Sequence, residues 1–145
     1  MKVHLYYIGK QRDDHSNAIA EEFVKRTTRY IKCEMREIHP ERFDPWERHP
    51  GARKVLLDPA GRAMTSEDFA RVVGDAELEA RDLVFVVGGA DGLPADWRKR
   101  SSAGGGDTSL LSLSKMTFPH ELARAMLAEQ LYRAVTILRG HPYPR

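Results

Sequence analysis

Hydrophobic positions along the chain alternate between strand-like and helix-like spacing. Runs rich in β-branched and aromatic residues predict five strands, over residues 2–8, 31–38, 54–57, 83–87 and 110–114. Apolar residues spaced three and four apart predict three longer helices, from Ser16 or Asn17 to about Arg29, from the capping box of Thr65 and Asp68 to about Ala80, and from His120 or Glu121 to about Leu138. This alternation indicates a single α/β domain over residues 1–145, with a mostly parallel sheet of five to six strands.

The connections between these elements differ in composition. Residues 39–52 contain three prolines and a glycine, which disfavours a regular helix. Residues 58–61 read Asp-Pro-Ala-Gly and predict a turn, whereas residues 94–100 are consistent with a short helix. The fourth strand, residues 83–87, is apolar throughout, as is typical of a parallel strand covered on both faces.

Ligands of open α/β sheets bind beyond the carboxyl ends of the strands, so the segments after the third, fourth and fifth strands are the candidate site. The fourth strand leads into Gly88-Gly89-x-x-Gly92, where glycine permits close backbone approach to a ligand. An ordinary tight turn would need the same glycines, and the spacing matches neither the dinucleotide fingerprint nor a Walker loop. The fifth strand leads into a polar loop, residues 113–120, that either simply connects to the last helix or wraps a small ligand.

Composition narrows the functional classes. Hydrophobic residues make up 41% and charged residues 30% of the chain, as in a globular protein that can build one core. The formal net charge is only +2, yet residues 98–145 hold eight Lys or Arg and three acidic residues, which weakly favours a polyanionic partner. The six histidines show no metal-ligand spacing, so we expect no metal site.

The single cysteine and the lack of a recognisable signal peptide or membrane span lead us to expect a cytoplasmic protein. The single cysteine, Cys33, excludes an internal disulfide and falls on a predicted strand, which indicates a core residue. No apolar stretch approaches the roughly 20 residues of a membrane span. The apolar N-terminus is too short and too soon followed by charges to be a signal peptide.

The last helix and the tail after it combine apolar and polar features. Its apolar stripe is wide enough to predict either full burial or contact with a second subunit. Glu129 and Arg133, four residues apart, form either a surface ion pair or polar groups facing a cleft. The tail places His141, Tyr143 and Arg145 within five residues, although most chain ends are inert.

Taken in order, these segments resemble the RlmH family, SPOUT-class methyltransferases of large-subunit ribosomal RNA. The resemblance spans nearly the whole chain and rests on Leu57-Asp58-x-x-Gly61, Val87-Gly88-Gly89-x-x-Gly92-Leu93, the loop Leu113-Ser114-Lys115-Met116-Thr117-Phe118-Pro119-His120, Glu129-Gln130-Leu131-Tyr132-Arg133-Ala134, and the terminal His141-Pro142-Tyr143. The second half of this pattern is the more specific.

The resemblance implies a deep C-terminal trefoil knot over about residues 83–145, a homodimer, and S-adenosylmethionine as the cofactor. It implies methyl transfer to N3 of a pseudouridine in large-subunit (23S-type) rRNA on the assembled ribosome. The cofactor contacts implied by position are Leu57, Gly88, Leu113, Ser114, Lys115, Met116, Thr117 and Phe118. We expect Gly88→Val to abolish cofactor affinity by occupying the cleft.

The catalytic residues implied by position lie on the last helix and the tail, and they would meet the target nucleotide across the dimer interface. They are His141 and Tyr143 for proton handling, Arg133 and Arg145 for anion or phosphate binding, and Glu129 beside Arg133. Methyl transfer from a sulfonium needs mainly positioning and desolvation from the protein. A conspicuous catalytic motif is therefore not required, although the N3 proton calls for a base.

Two other classes of protein fit parts of the pattern. A flavodoxin-like nucleotide-binding module shares the alternation of strands and helices, but the residues after the first strand lack a phosphate-cradling loop. A catalytically silent RNA-binding or ribosome-assembly factor of the same fold is the third possibility. It is favoured by Pro144, which stands where relatives commonly carry a second histidine.

Overall fold

A computed structural model describes residues 1–103 and 106–143. The sheet has five strands in the order β2-β1-β4-β3-β5, and every pair of neighbours is parallel. The strands are β1 (Lys2–Ile8), β2 (Lys32–Ile38), β3 (Arg53–Ala63), β4 (Leu83–Val87) and β5 (Thr108–Ser112). The predicted α/β class and parallel sheet are therefore confirmed, with five strands among the described residues.

Five helices connect or follow these strands. They are α1 (Asp14–Thr27), α2 (Pro45–Arg48), α3 (Ser66–Leu78), α4 (Ala95–Ser102) and α5 (His120–Arg139). The capping box that predicted α3 is confirmed, because the Thr65 hydroxyl accepts a hydrogen bond of 3.0 Å from the backbone N–H of Asp68.

Two local predictions were wrong. The cap of α1 is Asp13, not Ser16 or Asn17, and the helix starts earlier because the Asp13 carboxylate accepts from the backbone N–H of His15. Residues 39–52 contain one short helix, α2, despite their prolines. Pro45 occupies its first turn, where the missing N–H costs nothing, and Asp44 caps it.

The two faces of the sheet are covered by different parts of the chain. Alternate residues of β1 such as Val3 and Leu5 pack with α1, α3 and α5 in the larger core cluster. On the opposite face, Tyr6 packs with residues of the 39–52 segment and with Trp97 of α4. The strand β4 is buried along its whole length, as expected for a central strand with both faces covered.

The predicted turn at residues 58–61 lies inside β3 rather than at its end. Leu111 of β5 is paired with both Leu57 and Arg62, so the four residues between them bulge out of the ladder. The Asp58 carboxylate accepts from the backbone N–H of Ala60 at 2.8 Å, which stabilises the bulge as a turn. The predicted trefoil knot over about residues 83–145 stays a prediction.

Candidate functional site

The bulge in the middle of β3 and the carboxyl ends of β4 and β5 open into one cavity of about 440 Å³. Its walls come from the bulge of β3, the glycine turn after β4, the loop after β5 and the start of α5. The lining residues are Leu57, Asp58, Pro59, Val87, Gly88, Gly89, Ala90, Gly92, Leu111, Leu113, Ser114, Met116, Thr117, Phe118, Pro119, His120 and Ala123. A cavity of this size and position is the expected ligand site of an open parallel sheet.

The glycine turn leaves no room for side chains on its inner side. A Cβ on Gly88 would lie 2.7 Å from the carbonyl carbon of Gly92, and a Cβ on Gly89 would lie 2.9 Å from the carbonyl oxygen of Ile8. A substitution at Gly88 would therefore strike the backbone of its own turn. The predicted loss of cofactor affinity in Gly88→Val stays a prediction, to which the contact of the first side-chain carbon with this backbone adds a second physical reason.

The loop after β5 is held by its own serines. The Ser112 hydroxyl donates to the backbone carbonyl of Ser114 at 2.9 Å, and the Ser114 hydroxyl accepts from the backbone N–H of Met116 at 3.0 Å. These bonds fold the loop over the cavity and leave other backbone polar groups beside an apolar wall. A polar ligand with a flat apolar part suits such a lining.

Asp58 is the buried carboxylate of the cavity wall. Besides the Ala60 N–H it accepts from Nε of Arg98, 2.6 Å away on α4. The pair ties the bulge of β3 to α4. The Asp-Pro-x-Gly turn signal and the motif Leu57-Asp58-x-x-Gly61 marked Asp58 in the sequence, but neither revealed its partner.

Most of the predicted cofactor residues meet at this cavity. Leu57, Gly88, Leu113, Ser114, Met116, Thr117 and Phe118 line it, whereas Lys115 is exposed and does not. Their role in binding a cofactor stays a prediction. The sequence placed His120 at the end of the predicted loop but gave it no role in the site; its side chain is 29% exposed and lines the cavity from the first turn of α5.

The predicted catalytic residues gather elsewhere, near the other end of α5. The Glu129 carboxylate accepts from Nη2 of Arg133 at 2.7 Å and from the Tyr143 hydroxyl at 2.9 Å. The guanidinium carbon of Arg133 lies 4.9 Å from the centroid of the Tyr143 ring. Glu129 and Arg133 are thus a half-buried pair covered by the tail, rather than a plain surface ion pair.

Burial, and then the hydrogen bond and charge of Glu129, raise the pKa of the Tyr143 phenol. The phenol is therefore protonated at neutral pH and acts as a donor. His141 is exposed, and its backbone N–H donates to the Thr136 carbonyl at 2.9 Å. Arg145 lies outside the described residues.

The two groups of residues lie at different positions along one helix. Ala123 of α5 lines the cavity, whereas Arg133 lies ten residues further along, about 15 Å up the helix axis. Within one chain, Glu129, Arg133 and Tyr143 are not among the residues that line the cavity.

One stripe of α5 is left uncovered between these groups. Leu122 and Met126 are 38% and 36% exposed, and Glu129 and Arg133 continue the stripe at helical spacing. The remaining apolar residues of α5 are largely buried against α1, α3 and the sheet. Most of the wide apolar surface is thus buried within the chain, a small part stays open, and contact with a second subunit stays a prediction.

Within residues 1–103 and 106–143, no group of three or more His, Cys, Asp or Glu side chains is arranged to hold a metal ion. No helix formed by the described part of the chain is long and apolar enough to cross a membrane. The Cys33 thiol is half-buried, and burial raises its pKa to about 12, which fits the predicted core residue and not a reactive thiolate.

The all-parallel sheet and the cavity at its carboxyl edge define an α/β protein with a cavity of the size of a small-ligand site. Residues 1–144 match the family described as "Predicted SPOUT methyltransferase". The chain belongs to the SPOUT methyltransferase family.

Relatives and solved structures agree with this assignment. The chain is 59% identical to "Ribosomal RNA large subunit methyltransferase H" of Solibacter usitatus (strain Ellin6076), over all of both chains. It is 38% identical to the protein of that name from Koribacter versatilis (strain Ellin345), over 99% of this chain and 97% of the relative. Among solved structures, a candidate RNA methyltransferase from Bacillus anthracis shares the fold with a TM-score of 0.56 and 14% identity, over 97% of this chain and 96% of that one.

Proposed function

We propose that the protein is an S-adenosylmethionine-dependent methyltransferase that methylates N3 of a pseudouridine in large-subunit rRNA. One observation carries the proposal: the motif in the bulge of β3 and the motifs after β4 and β5, far apart in the chain, enclose one cavity. Similarity over the full length to relatives named ribosomal RNA large subunit methyltransferase H supports the substrate. A ribosomal substrate implies a cytoplasmic protein.

The cavity residues fit the chemistry of S-adenosylmethionine. Leu57, Leu113 and Phe118 supply apolar surface for a flat base, and the loop after β5 supplies backbone donors and acceptors for polar groups. The glycine turn brings bare backbone to the cavity edge, where a Cβ would already meet other backbone atoms. These are the features expected of a site that holds its ligand by backbone contacts.

When bound, the cofactor supplies a methyl group activated by a positively charged sulfur. The protein then has to orient the two reactants, exclude water and accept the N3 proton. Arg133 is suited to stabilise negative charge on the ring as N3 loses its proton. The protonated phenol of Tyr143 holds Glu129 and Arg133 in place, which leaves His141 as the proposed proton acceptor.

We further propose that the active form is a homodimer. Within one chain the Glu129–Arg133–Tyr143 cluster does not line the cavity, and the exposed Leu122 and Met126 lie on α5 between Glu129 and the start of the helix at the cavity. A second chain packed on this stripe would bury the apolar residues and bring its cluster toward the first chain's cavity.

Basic residues around the cavity suit the phosphates of an RNA substrate. Lys115 is exposed on the loop after β5, and the Arg100 guanidinium carbon lies 4.3 Å from the centroid of the Trp46 ring. Arg98 is paired with Asp58. We assign these residues to positioning the RNA rather than to the reaction.

The fold separates the two alternative classes of protein, a flavodoxin-like module and a silent RNA-binding factor. A flavodoxin-like module has the strand order 2-1-3-4-5 and binds its ligand at its first and third strands, whereas this sheet has the order β2-β1-β4-β3-β5 and its cavity at β3, β4 and β5. That alternative is therefore wrong. A silent RNA-binding factor shares the fold and is separated from an enzyme only by turnover.

The test is transfer of label from tritiated S-adenosylmethionine to ribosomes that lack the modification. We expect tritium in the large-subunit rRNA, N3-methylpseudouridine on nuclease digestion and mass spectrometry, and loss of transfer in Arg133→Ala with cofactor affinity retained. Gly51→Ala, a change at a site with no neighbouring atom within 4 Å, is the matched control. Cofactor binding without transfer would indicate the silent factor, and no cofactor binding would refute the proposal.

A further inference from the structure

A buried polar network joins the first turn of α5 to the loop after β1. The Glu121 side chain is 9% exposed. Its Oε2 atom accepts from the backbone N–H of Arg12 at 2.9 Å, from that of Asp13 at 3.0 Å, and from the side-chain amide of Asn17. These three bonds lower the pKa of Glu121 to about 2 and fix residues 12 and 13 onto α5.

Arg124 completes the network one turn further along α5. It is fully buried, with Nη1 donating to the Asn17 side-chain oxygen at 2.9 Å and the guanidinium carbon 3.8 Å from the centroid of the Tyr7 ring. Its Nε and Nη2 atoms are buried with no hydrogen-bond partner among the described residues. Burying a charge with unpaired donors opposes folding, so stability alone is a poor reason for this arginine.

The network ends beside the wall of the cavity without entering it. Glu121 directly follows His120, which lines the cavity. A Cβ on Gly9 would lie 3.8 Å from the Cα of Gly89 and 4.0 Å from Nε2 of His120. The loop after β1, the glycine turn and the start of α5 therefore meet at one point, and Glu121 bonds the first of these to the third.

We propose that Glu121, with Asn17 and Arg124, acts as a positioning residue that holds His120 and the glycine turn in the shape that binds the cofactor. None of the three lines the cavity, so they act through the wall and not on the ligand. The inference rests on the proposed function, since it takes S-adenosylmethionine as the ligand. A site shaped before binding loses less entropy when the ligand enters.

The test compares Glu121→Ala and Glu121→Gln by calorimetric titration with S-adenosylmethionine. Alanine removes the acceptor, so we expect the Kd to rise about tenfold or more. Glutamine keeps one carbonyl oxygen and should recover part of the loss. In steady-state kinetics the KM for S-adenosylmethionine should rise, while the KM for ribosomes and kcat at saturating cofactor stay within twofold of wild type.

Val73→Ala is the control for general destabilisation, because Val73 is fully buried in α3 and does not line the cavity. It should lower the Tm and leave the Kd unchanged. Hydrogen exchange at the amides of Arg12 and Asp13 should speed up in Glu121→Ala and not in Val73→Ala. If Glu121→Ala fails to fold, Glu121→Gln and Asn17→Ala decide, each with an expected threefold or larger rise in Kd.

Three outcomes overturn the inference. An unchanged Kd in the folded Glu121 and Asn17 variants, despite faster exchange at Arg12 and Asp13, would show that the network is only structural. An equal rise in Kd for Val73→Ala would assign the effect to stability. Failure of the wild type to bind S-adenosylmethionine would refute the proposed function itself, and with it this role.

Discussion

Replacing Gly88 by alanine tests the cofactor cavity most directly. The added Cβ would lie 2.7 Å from the carbonyl carbon of Gly92, 2.9 Å from the N atom of Leu93 and 3.0 Å from the Gly92 oxygen. All three are backbone atoms, so no side chain can rotate away to relieve the contact. Ordinary contact begins at 3.4 Å, and the turn must therefore open by about 0.7 Å.

The size of the effect follows from the cost of such overpacking, about 1–3 kcal/mol. If the turn relaxes into the cavity, this strain opposes the cofactor and weakens its affinity by roughly 5- to 150-fold, since about 1.4 kcal/mol is tenfold. If the strain stays in the free protein, it lowers the Tm by roughly 2–4 °C per kcal/mol in a chain of this size.

Calorimetric titration with S-adenosylmethionine and a thermal melt measure the two effects separately. Gly51→Ala is the control, because a Cβ there meets no atom within 4 Å, and it should leave both quantities unchanged. Wild-type affinity together with a wild-type Tm in Gly88→Ala would refute the reasoning, because the strain would then appear neither in cofactor binding nor in the stability of the free protein.

Further predictions concern the tail, pH, association and folding. Tyr143→Phe removes the hydroxyl that donates to Glu129, and we expect slower transfer of label to ribosomes with unchanged cofactor affinity. The pKa of Glu121 is about 2 in the folded protein against an ordinary 4.5. The ionised carboxylate therefore contributes about 3 kcal/mol to the free energy of unfolding above pH 4.5. That contribution should be lost as the pH falls from 4.5 to 2, and urea unfolding of Glu121→Gln should show a flatter dependence in this range. Met126→Glu places a charge in the proposed dimer stripe and should yield monomers in analytical ultracentrifugation, whereas a stable dimer would contradict that interface. Thr65→Ala removes the cap of α3 and should cost about 1 kcal/mol in urea unfolding, with no change in cofactor affinity.

Short sequence patterns predicted where the strands and helices lie, but they did not predict contacts with residues far away in the chain. The apolar run of β4 and the cap at Thr65 are set by nearby residues, and both predictions were confirmed. The cap of α1 was misplaced because Asp13, Ser16 and Asn17 are all good capping residues. The choice among them depends on Glu121, more than 100 residues away, which accepts from the Asp13 N–H.

In the candidate site, too, some residues could be recognised in the sequence and others could not. Glycines and serines that follow strands could be recognised in the sequence, since parallel strands end at one edge and their following segments must meet there. His120 was given no role in the site because its position on the cavity wall depends on where α5 starts after the loop. The Asp58–Arg98 pair was missed because it joins two segments whose distance only the packed fold sets.

By itself, the amino-acid sequence determined the class of fold, the edge of the sheet where the cavity lies, and the resemblance to RNA methyltransferases. These depend on the order of apolar and polar residues and on short motifs, which are local properties of the chain. The tertiary structure decided that the cavity and the Glu129–Arg133–Tyr143 cluster lie apart on one helix, and that Glu121 and Arg124 are buried. Burial and distance between remote residues arise only when the helices pack on the sheet, because short motifs and spacing do not specify which individual side chains of remote segments come into contact.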